Sequence, residues 1–258
     1  MPEGDTIFRT ASTLHRALAG ATVTRFETQL PALARIDEDY PLKGRTVEFA
    51  RATGKWIELA FSGELILLTH MLMSGSWHIY RPGERWQRSR YHMRVVIETE
   101  KILAVAFDVQ VAEFHTAQSL STRKGFSQLG PDVLSPDFNE AEAVNNLLAH
   151  PDLELGTALL NQSILAGVGN MFKAEVCFLC GINPFERVAN LSRDQLTQIV
   201  EIARDLLKIS VTARPPLWVY RRTGERCRKC GDIILSRKQG TEARTSFWCP
   251  TCQRMLPC

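Results

Sequence analysis

Long apolar runs are missing from this sequence: no stretch reaches the roughly 18 residues that a bilayer span needs, and the most hydrophobic one, Leu65 to Met73, is interrupted by Thr69 and His70. A membrane-spanning helix is therefore not expected. The amino terminus, Met1-Pro2-Glu3-Gly4-Asp5, has neither the basic start nor the apolar core of a secretory leader, which points to the cytoplasm. There are no internal repeats, and a chain that is 45% hydrophobic and 23% charged is neither disordered, nor collagen-like, nor a disulfide miniprotein. A strong charge imbalance is also absent. The net charge of +3 would by itself discourage a nucleic-acid partner.

The 258 residues suffice for one large or two smaller domains. Asp5 to Leu18 reads as a helix, with Ile7, Leu14 and Leu18 on one side, Asp5 as its cap and Gly20 as its stop. Short β-rich runs follow at Thr22 to Phe26, Thr46 to Phe49, Trp56 to Phe61, Leu65 to Leu72, Arg94 to Glu98 and Ile102 to Phe107, punctuated by Gly54, Gly63, Gly75 and Gly83. That pattern favours an antiparallel sandwich or barrel over residues 1–118. Residues 119–138, rich in Ser, Thr, Gly, Pro and Asp, read as a linker. Helical periodicity then marks Glu140 to Leu148, Thr157 to Leu165, Met171 to Cys180 and Arg193 to Ile209, a helical domain over 139–212. Ser192 and Gln195 form a capping-box pattern before the last helix, and Asn170, after the Gly167 and Gly169 turn, is positioned to cap the third.

Residues 213–258 carry the strongest single signal. Cys227-x-x-Cys230, eighteen residues and Cys249-x-x-Cys252 have the spacing of a closed four-thiolate Zn2+ site, structural because no ligand position is left open. From Arg214 to Arg254 there are ten Lys and Arg against three Asp and Glu, a local +7 that leaves −4 on the rest. This basic hairpin, with Phe247 and Trp248 beside the second cysteine pair, reads as a nucleic-acid contact. Cys177 and Cys180, at i and i+3 in an apolar helix, read as packing residues, and Cys258 as ligating nothing. Removal of Met1 would expose the secondary amine of Pro2, a candidate nucleophile because an α-amine loses its proton far more readily than lysine; Glu3 is its neighbouring acid.

Five motifs in order, Met1-Pro2-Glu3-Gly4, Gly54-Lys55, His70 to Gly75 (HMLMSG), Gln162 to Glu175 (QSILAGVGNMFKAE) and the four-cysteine hairpin, resemble the formamidopyrimidine-DNA glycosylase and endonuclease VIII family along the whole chain. The resemblance implies an α+β multidomain protein: an N-terminal antiparallel β-sandwich, a helix-two-turn-helix domain and a zinc-finger β-hairpin, acting as a monomer on damaged double-stranded DNA. It further implies that Pro2 attacks C1′ of the damaged nucleotide, that Glu3 protonates the sugar ring oxygen, and that Lys55 contacts phosphate and assists the lyase step. Asn170 and Arg244 match the residues that hold phosphates at the lesion, His70 and His92 are further DNA contacts, and Met73 aligns with the wedge that fills the gap left by a flipped base.

Two features bear on substrate. The guanine-repair branch adds an Arg and a Phe from an Asp-Pro-Arg-Arg-Phe-like loop, whereas this chain has Phe107 to Phe114 (FDVQVAEF), and its Met-Pro-Glu-Gly-Asp start is closer to the endonuclease VIII branch. Oxidised pyrimidines are thus expected over oxidised guanine, although HMLMSG is nearer the guanine branch. The alternatives from other classes are a catalytically silent damage-binding protein on the same scaffold and a zinc-dependent redox or chaperone protein.

Overall fold

The structure is a computed structural model and describes residues 2–256; Met1 and Cys258, and with them the expected loss of Met1 and the idle role of Cys258, lie outside the described residues. The chain forms two compact units, residues 1–128 and 129–258.

In the first unit α1 (Gly4–Leu18) is followed by β1 (Val23–Thr28), α2 (Pro31–Asp39), β2 (Val47–Thr53), β3 (Trp56–Phe61), β4 (Leu65–His70), β5 (Ser76–Tyr80), β6 (Met93–Thr99), β7 (Leu103–Phe107), β8 (Val111–His115) and α3 (Ala117–Thr122). The strands make two four-stranded antiparallel sheets, ordered β1-β6-β7-β5 and β2-β3-β4-β8. The expected sandwich is present. Period-two alternation places Ile57, Leu59 and Phe61 of β3 in the core with Val95 and Ile97 of β6, and α1 closes the core with Ile7, Ala11, Leu14 and Leu18. β3 is buried on both faces: its other side carries Trp56 and Glu58, the latter fully buried and held by Arg51 at 2.8 Å and Thr53 at 2.6 Å. A smaller cluster of Tyr80, Met93, Val96, Leu103, Val105 and Phe107 fills the outer face of the other sheet.

Several local expectations are corrected. α1 starts at Gly4 with Glu3 as its N-cap, so Asp5 lies inside the first turn and pairs with Arg9 instead of capping. β4 ends at His70, not Leu72, because Leu72 takes a left-handed φ of 47°. β5, β8, α2 and α3 were not anticipated, and α3 falls inside the stretch read as linker.

The second unit holds α4 (Glu140–Leu148), α5 (Leu155–Leu160), α6 (Asn170–Leu179), α7 (Arg193–Thr212) and a hairpin of β9 (Leu235–Gln239) and β10 (Arg244–Trp248). α7 begins with the capping box read from the sequence: Ser192 Oγ accepts from Gln195 N–H at 3.2 Å and Gln195 Oε1 from Ser192 N–H at 2.8 Å. α5 is shorter than Thr157 to Leu165, since residues 161–169 form turns with Gly167 at φ 97°. Cys177 is fully buried in the helical core with Phe172, Val176 and Leu207. Burial pushes the thiols of Cys177 and Cys180 up to about 12, which removes redox chemistry from that pair near neutral pH.

Candidate functional site

Pro2 is half-buried one residue before Glu3, which is 3% exposed and passes its carbonyl to Ile7 N–H at 3.0 Å as the first hydrogen bond of α1. The first unit's other candidates gather where strand register brings loops together. Trp56, just after the Gly54-Lys55 turn, pairs with His70, and His70 pairs with Val111 across the same sheet. Gly54, at φ 58°, supplies the left-handed position of the turn that carries Lys55. Lys55 lies close enough to His70 to help lower its pKa.

His70 stands edge-on to Trp56 with centroids 4.6 Å apart, and its Nδ1 accepts from Leu72 N–H at 3.0 Å. Burial, and then the charges of Lys55 and Arg123, lower its pKa to about 4. His70 is therefore neutral at physiological pH, and an unprotonated Nδ1 is what the Leu72 bond requires. Arg123 lies over the Trp56 ring at 4.3 Å and is anchored by Glu113 at 3.0 Å. The turn beyond His70 closes with Gly75 N–H on Met71 carbonyl at 2.8 Å. A Cβ at Gly75 would lie 2.6 Å from that carbonyl, so glycine is required there. The turn leaves Leu72 37% and Met73 63% exposed. His92 is not loose: Nδ1 lies 2.8 Å from Asp108 Oδ1, and Arg88 takes the other oxygen at 2.6 Å.

In the second unit the helix α6 organises the candidates. Asn170 is its first residue, with Gly169 as N-cap, so the expected capping role is wrong. Its Nδ2 instead donates to Thr245 carbonyl at 2.9 Å, next to Arg244, while its buried Oδ1 has no partner. Lys173, fully buried one turn on, donates to Ser246 Oγ at 2.6 Å; Ser246 Oγ donates to Gln239 Oε1, whose amide reaches Glu154 Oε2 at 2.9 Å. α6 is thus stitched to β10 at Thr245 and at Ser246. Arg244 itself is partly exposed and pairs with the exposed Glu242 at 3.1 Å, a contact of small net worth that a phosphate can displace. Glu175 accepts three backbone N–H groups, from Trp218 at 2.6 Å, Val219 at 3.0 Å and Tyr220 at 2.8 Å, which fixes the chain entering the cysteine segment. Burial pushes its carboxyl pKa up, opposed by those three donors.

The sulfurs of Cys227, Cys230, Cys249 and Cys252 lie within 4.8 Å of one another, with Cys227 to Cys252 at 3.9 Å and Cys230 to Cys249 at 3.4 Å. A tetrahedral ion with bonds of about 2.3 Å to sulfur sets its ligands roughly 3.8 Å apart, so the four thiols fit a metal ion. Lys229 N–H points to Cys227 Sγ at 3.4 Å, the outer hydrogen bond such a thiolate uses. The aromatic part of the hairpin reading is corrected. Phe247 packs on Tyr220 at 5.4 Å and Trp248 on Phe185 at 5.1 Å, so both rings join the hairpin to its own unit.

Sequence reasoning missed Lys173, Glu175, Trp56 and Arg123, because each acts through a partner 43 to 73 residues away or across a sheet, except for one visible signal: a buried-type apolar helix interrupted by Lys173 and Glu175.

Comparison with known proteins adds the following. The sequence model described as the formamidopyrimidine-DNA glycosylase N-terminal domain matches residues 1–112, and that of the formamidopyrimidine-DNA glycosylase H2TH domain matches residues 129–215. The chain is 36% identical to a probable endonuclease 8 2 of Streptomyces coelicolor, covering 98% of this chain and 94% of that one. It is 35% identical to the DNA-(apurinic or apyrimidinic site) lyase Nei2 of Mycolicibacterium smegmatis, covering 98% and 99%. Among solved structures, formamidopyrimidine-DNA glycosylase of Lactococcus lactis, non-covalently bound to DNA containing an AP site, superposes with a TM-score of 0.85 at 20% identity over 98% of this chain and 100% of that one.

Proposed function

The chain belongs to the formamidopyrimidine-DNA glycosylase and endonuclease VIII family, near the endonuclease VIII branch, and from that premise we propose that it is a DNA glycosylase and AP lyase of base-excision repair that works through Pro2. The observation that carries the mechanism is the placement of Pro2 beside a buried carboxyl at the start of α1. The Pro2 amine attacks C1′ of the damaged nucleotide; the N-glycosidic bond breaks, and the base leaves with its electron pair and takes up the proton that the amine nitrogen loses. Glu3 gives a proton to the ring oxygen as the sugar opens, leaving an iminium between Pro2 and C1′. The iminium withdraws electrons and acidifies C2′, whose proton is lost as the 3′-phosphate departs; a second elimination releases the 5′-phosphate, and water frees the enzyme.

Lys55 in the first unit, and Asn170 and Arg244 in the second, bind phosphates flanking the lesion, with His70 and His92 as further contacts. The left-handed, glycine-locked turn holds Met73 out to take the place of the flipped base. Cys227, Cys230, Cys249 and Cys252 hold one Zn2+, which supplies folding energy and no catalytic position. Oxidised pyrimidines are the favoured substrates. In support, Phe107 at the end of β7 and Val109 just after it are completely buried and Asp108 is pinned to Arg88 and His92, so no ring from residues 107–109 faces outward.

Borohydride reduction with abasic-site duplex DNA tests the chemistry: the wild type forms a covalent adduct and Pro2→Gly with Glu3→Gln does not. No adduct with the wild type, or an adduct that survives the double change, overturns the assigned roles. Intact mass showing Met1 retained would block the amine and favour a silent damage-binding protein. A panel of thymine glycol, dihydrouracil and oxidised-guanine duplexes checks the preference; faster excision of oxidised guanine overturns it.

A further inference from the structure

Residues 81–94, the connection after β5 with the first two residues of β6, hold Arg81, Arg85, Arg88, Arg90 and Arg94 against one acid, Glu84. Crowding like charges costs free energy unless a counter-charge is gathered there. The segment is nevertheless held in shape. Trp86 packs on Tyr80 at 6.4 Å and on the buried Phe107 at 5.6 Å, and Gln87 N–H donates to the Tyr80 hydroxyl at 3.1 Å. Arg88 is fixed by Asp108 at 2.6 Å and Arg90 by Glu27 at 2.5 Å, while Arg94 Nη1 donates to Tyr91 carbonyl at 3.0 Å. Residues 84–90 line an open cavity of about 580 Å³.

Two cations are left over. Arg81 and Arg85 form no ion pair among the described residues, and Arg90 remains 67% exposed within its pair. Tyr91, 77% exposed, stands beside them, edge-on to His92. The last part of the segment reaches the end of the sandwich that carries the wedge turn: Met93 and Ser76 both pair with Phe107, and Ser76 directly follows the turn of Met73.

We infer that residues 81–94 are a second DNA-backbone contact, separate from Lys55, Asn170 and Arg244, that takes phosphates of the duplex flanking the lesion through Arg81, Arg85, Arg90 and the Tyr91 hydroxyl. Guanidinium and tyrosine hydroxyl groups are ordinary phosphate donors. Single-strand platforms stack successive bases on successive rings, and here only Tyr91 is free to stack, because Trp86 is packed on Phe107. The surface therefore suits a duplex. The inference rests on the DNA-repair reading but not on its chemistry.

The test is fluorescence anisotropy of the full chain with a lesion-free 20-base-pair duplex across a salt series, comparing wild type with Arg81→Gln plus Arg85→Gln. Loss of two phosphate contacts should make the log-log salt slope shallower by about 1.8, and weaken binding on the order of tenfold near 0.1 M salt. Thermal unfolding should be unchanged, and low-salt borohydride trapping on abasic DNA retained. An unchanged slope while trapping succeeds overturns this inference alone; failed trapping by the wild type with the slope change intact overturns the catalytic reading alone. A larger loss on the isolated single strand than on the duplex also overturns it, by assigning the segment to unpaired DNA.

Discussion

Replacing Glu175 by Gln should loosen the whole cysteine segment without touching DNA. The carboxylate is 2% exposed and serves three backbone donors: Oε2 takes Trp218 N–H at 2.6 Å, and Oε1 takes Val219 and Tyr220 at 3.0 and 2.8 Å. Glutamine keeps one oxygen, so two of these bonds survive as weaker neutral ones, and its NH2 faces the Trp218 N–H donor to donor. The lost charged hydrogen bond is worth about 1.5 to 3 kcal/mol, and the weakening of the other two adds roughly 1 kcal/mol. Relief from burying a charge, the effect that pushes the Glu175 carboxyl up, offsets part of this. A net destabilisation of about 2 to 3 kcal/mol follows, or on the order of 10 °C in the unfolding midpoint of a unit this size. The assay is a thermal scan with zinc release followed in parallel. Zinc release should come earlier, since residues 218–220 lead into Cys227, and abasic-site affinity should fall because Arg244 must be ordered at greater entropic cost. A midpoint within 2 °C of wild type with unchanged zinc retention would refute the claim that these three bonds anchor the segment.

Two further outcomes follow. A strong chelator should unfold the segment around the four cysteines and abolish tight duplex binding while leaving the first unit folded, read by zinc release, limited proteolysis and circular dichroism; retained DNA affinity in metal-free protein contradicts it. His70, with its pKa lowered to about 4 from an unfolded value near 6.5, binds a proton more readily in the unfolded chain. Its stabilising contribution is therefore complete above pH 6.5 and declines as pH falls towards 4, and urea midpoints at pH 7 and 5 should converge in His70→Gln relative to wild type. Because the ring is only partly buried, the difference should be modest, and a midpoint gap as large in the variant as in the wild type removes His70 as the cause.

Much of the fold was legible because it rests on local patterns. Ile57, Leu59 and Phe61 alternate, Ser192 and Gln195 sit at capping distance, and two Cys-x-x-Cys pairs have a spacing that few other chemistries need. α2 was overlooked although Pro31 stands at its first turn, a helix-start signal, because the surrounding β pattern dominated the reading. β8 was hidden for a different reason: its five residues are all half-buried on an edge strand, so the apolar alternation that marks a strand is weak.

The arginine-rich stretch before β6 shows the same limit in the charge pattern. Its excess is visible in the sequence, yet only the structure separates the paired Arg88 and Arg90 from Arg81 and Arg85.

The sequence by itself determined the order of sandwich, helices and cysteine hairpin, the four thiols that cluster, and the residues that carry the family's motifs. Those depend on short spacings and on the chemistry of single side chains. Tertiary structure decided which way the side chains face: Phe247 and Trp248 turned inward, Asn170 tied to the hairpin through one amide hydrogen instead of serving as a helix cap, and His70 neutral between Trp56 and Leu72. Orientation, burial and protonation are set by neighbours brought in from distant sequence, and no local spacing encodes them.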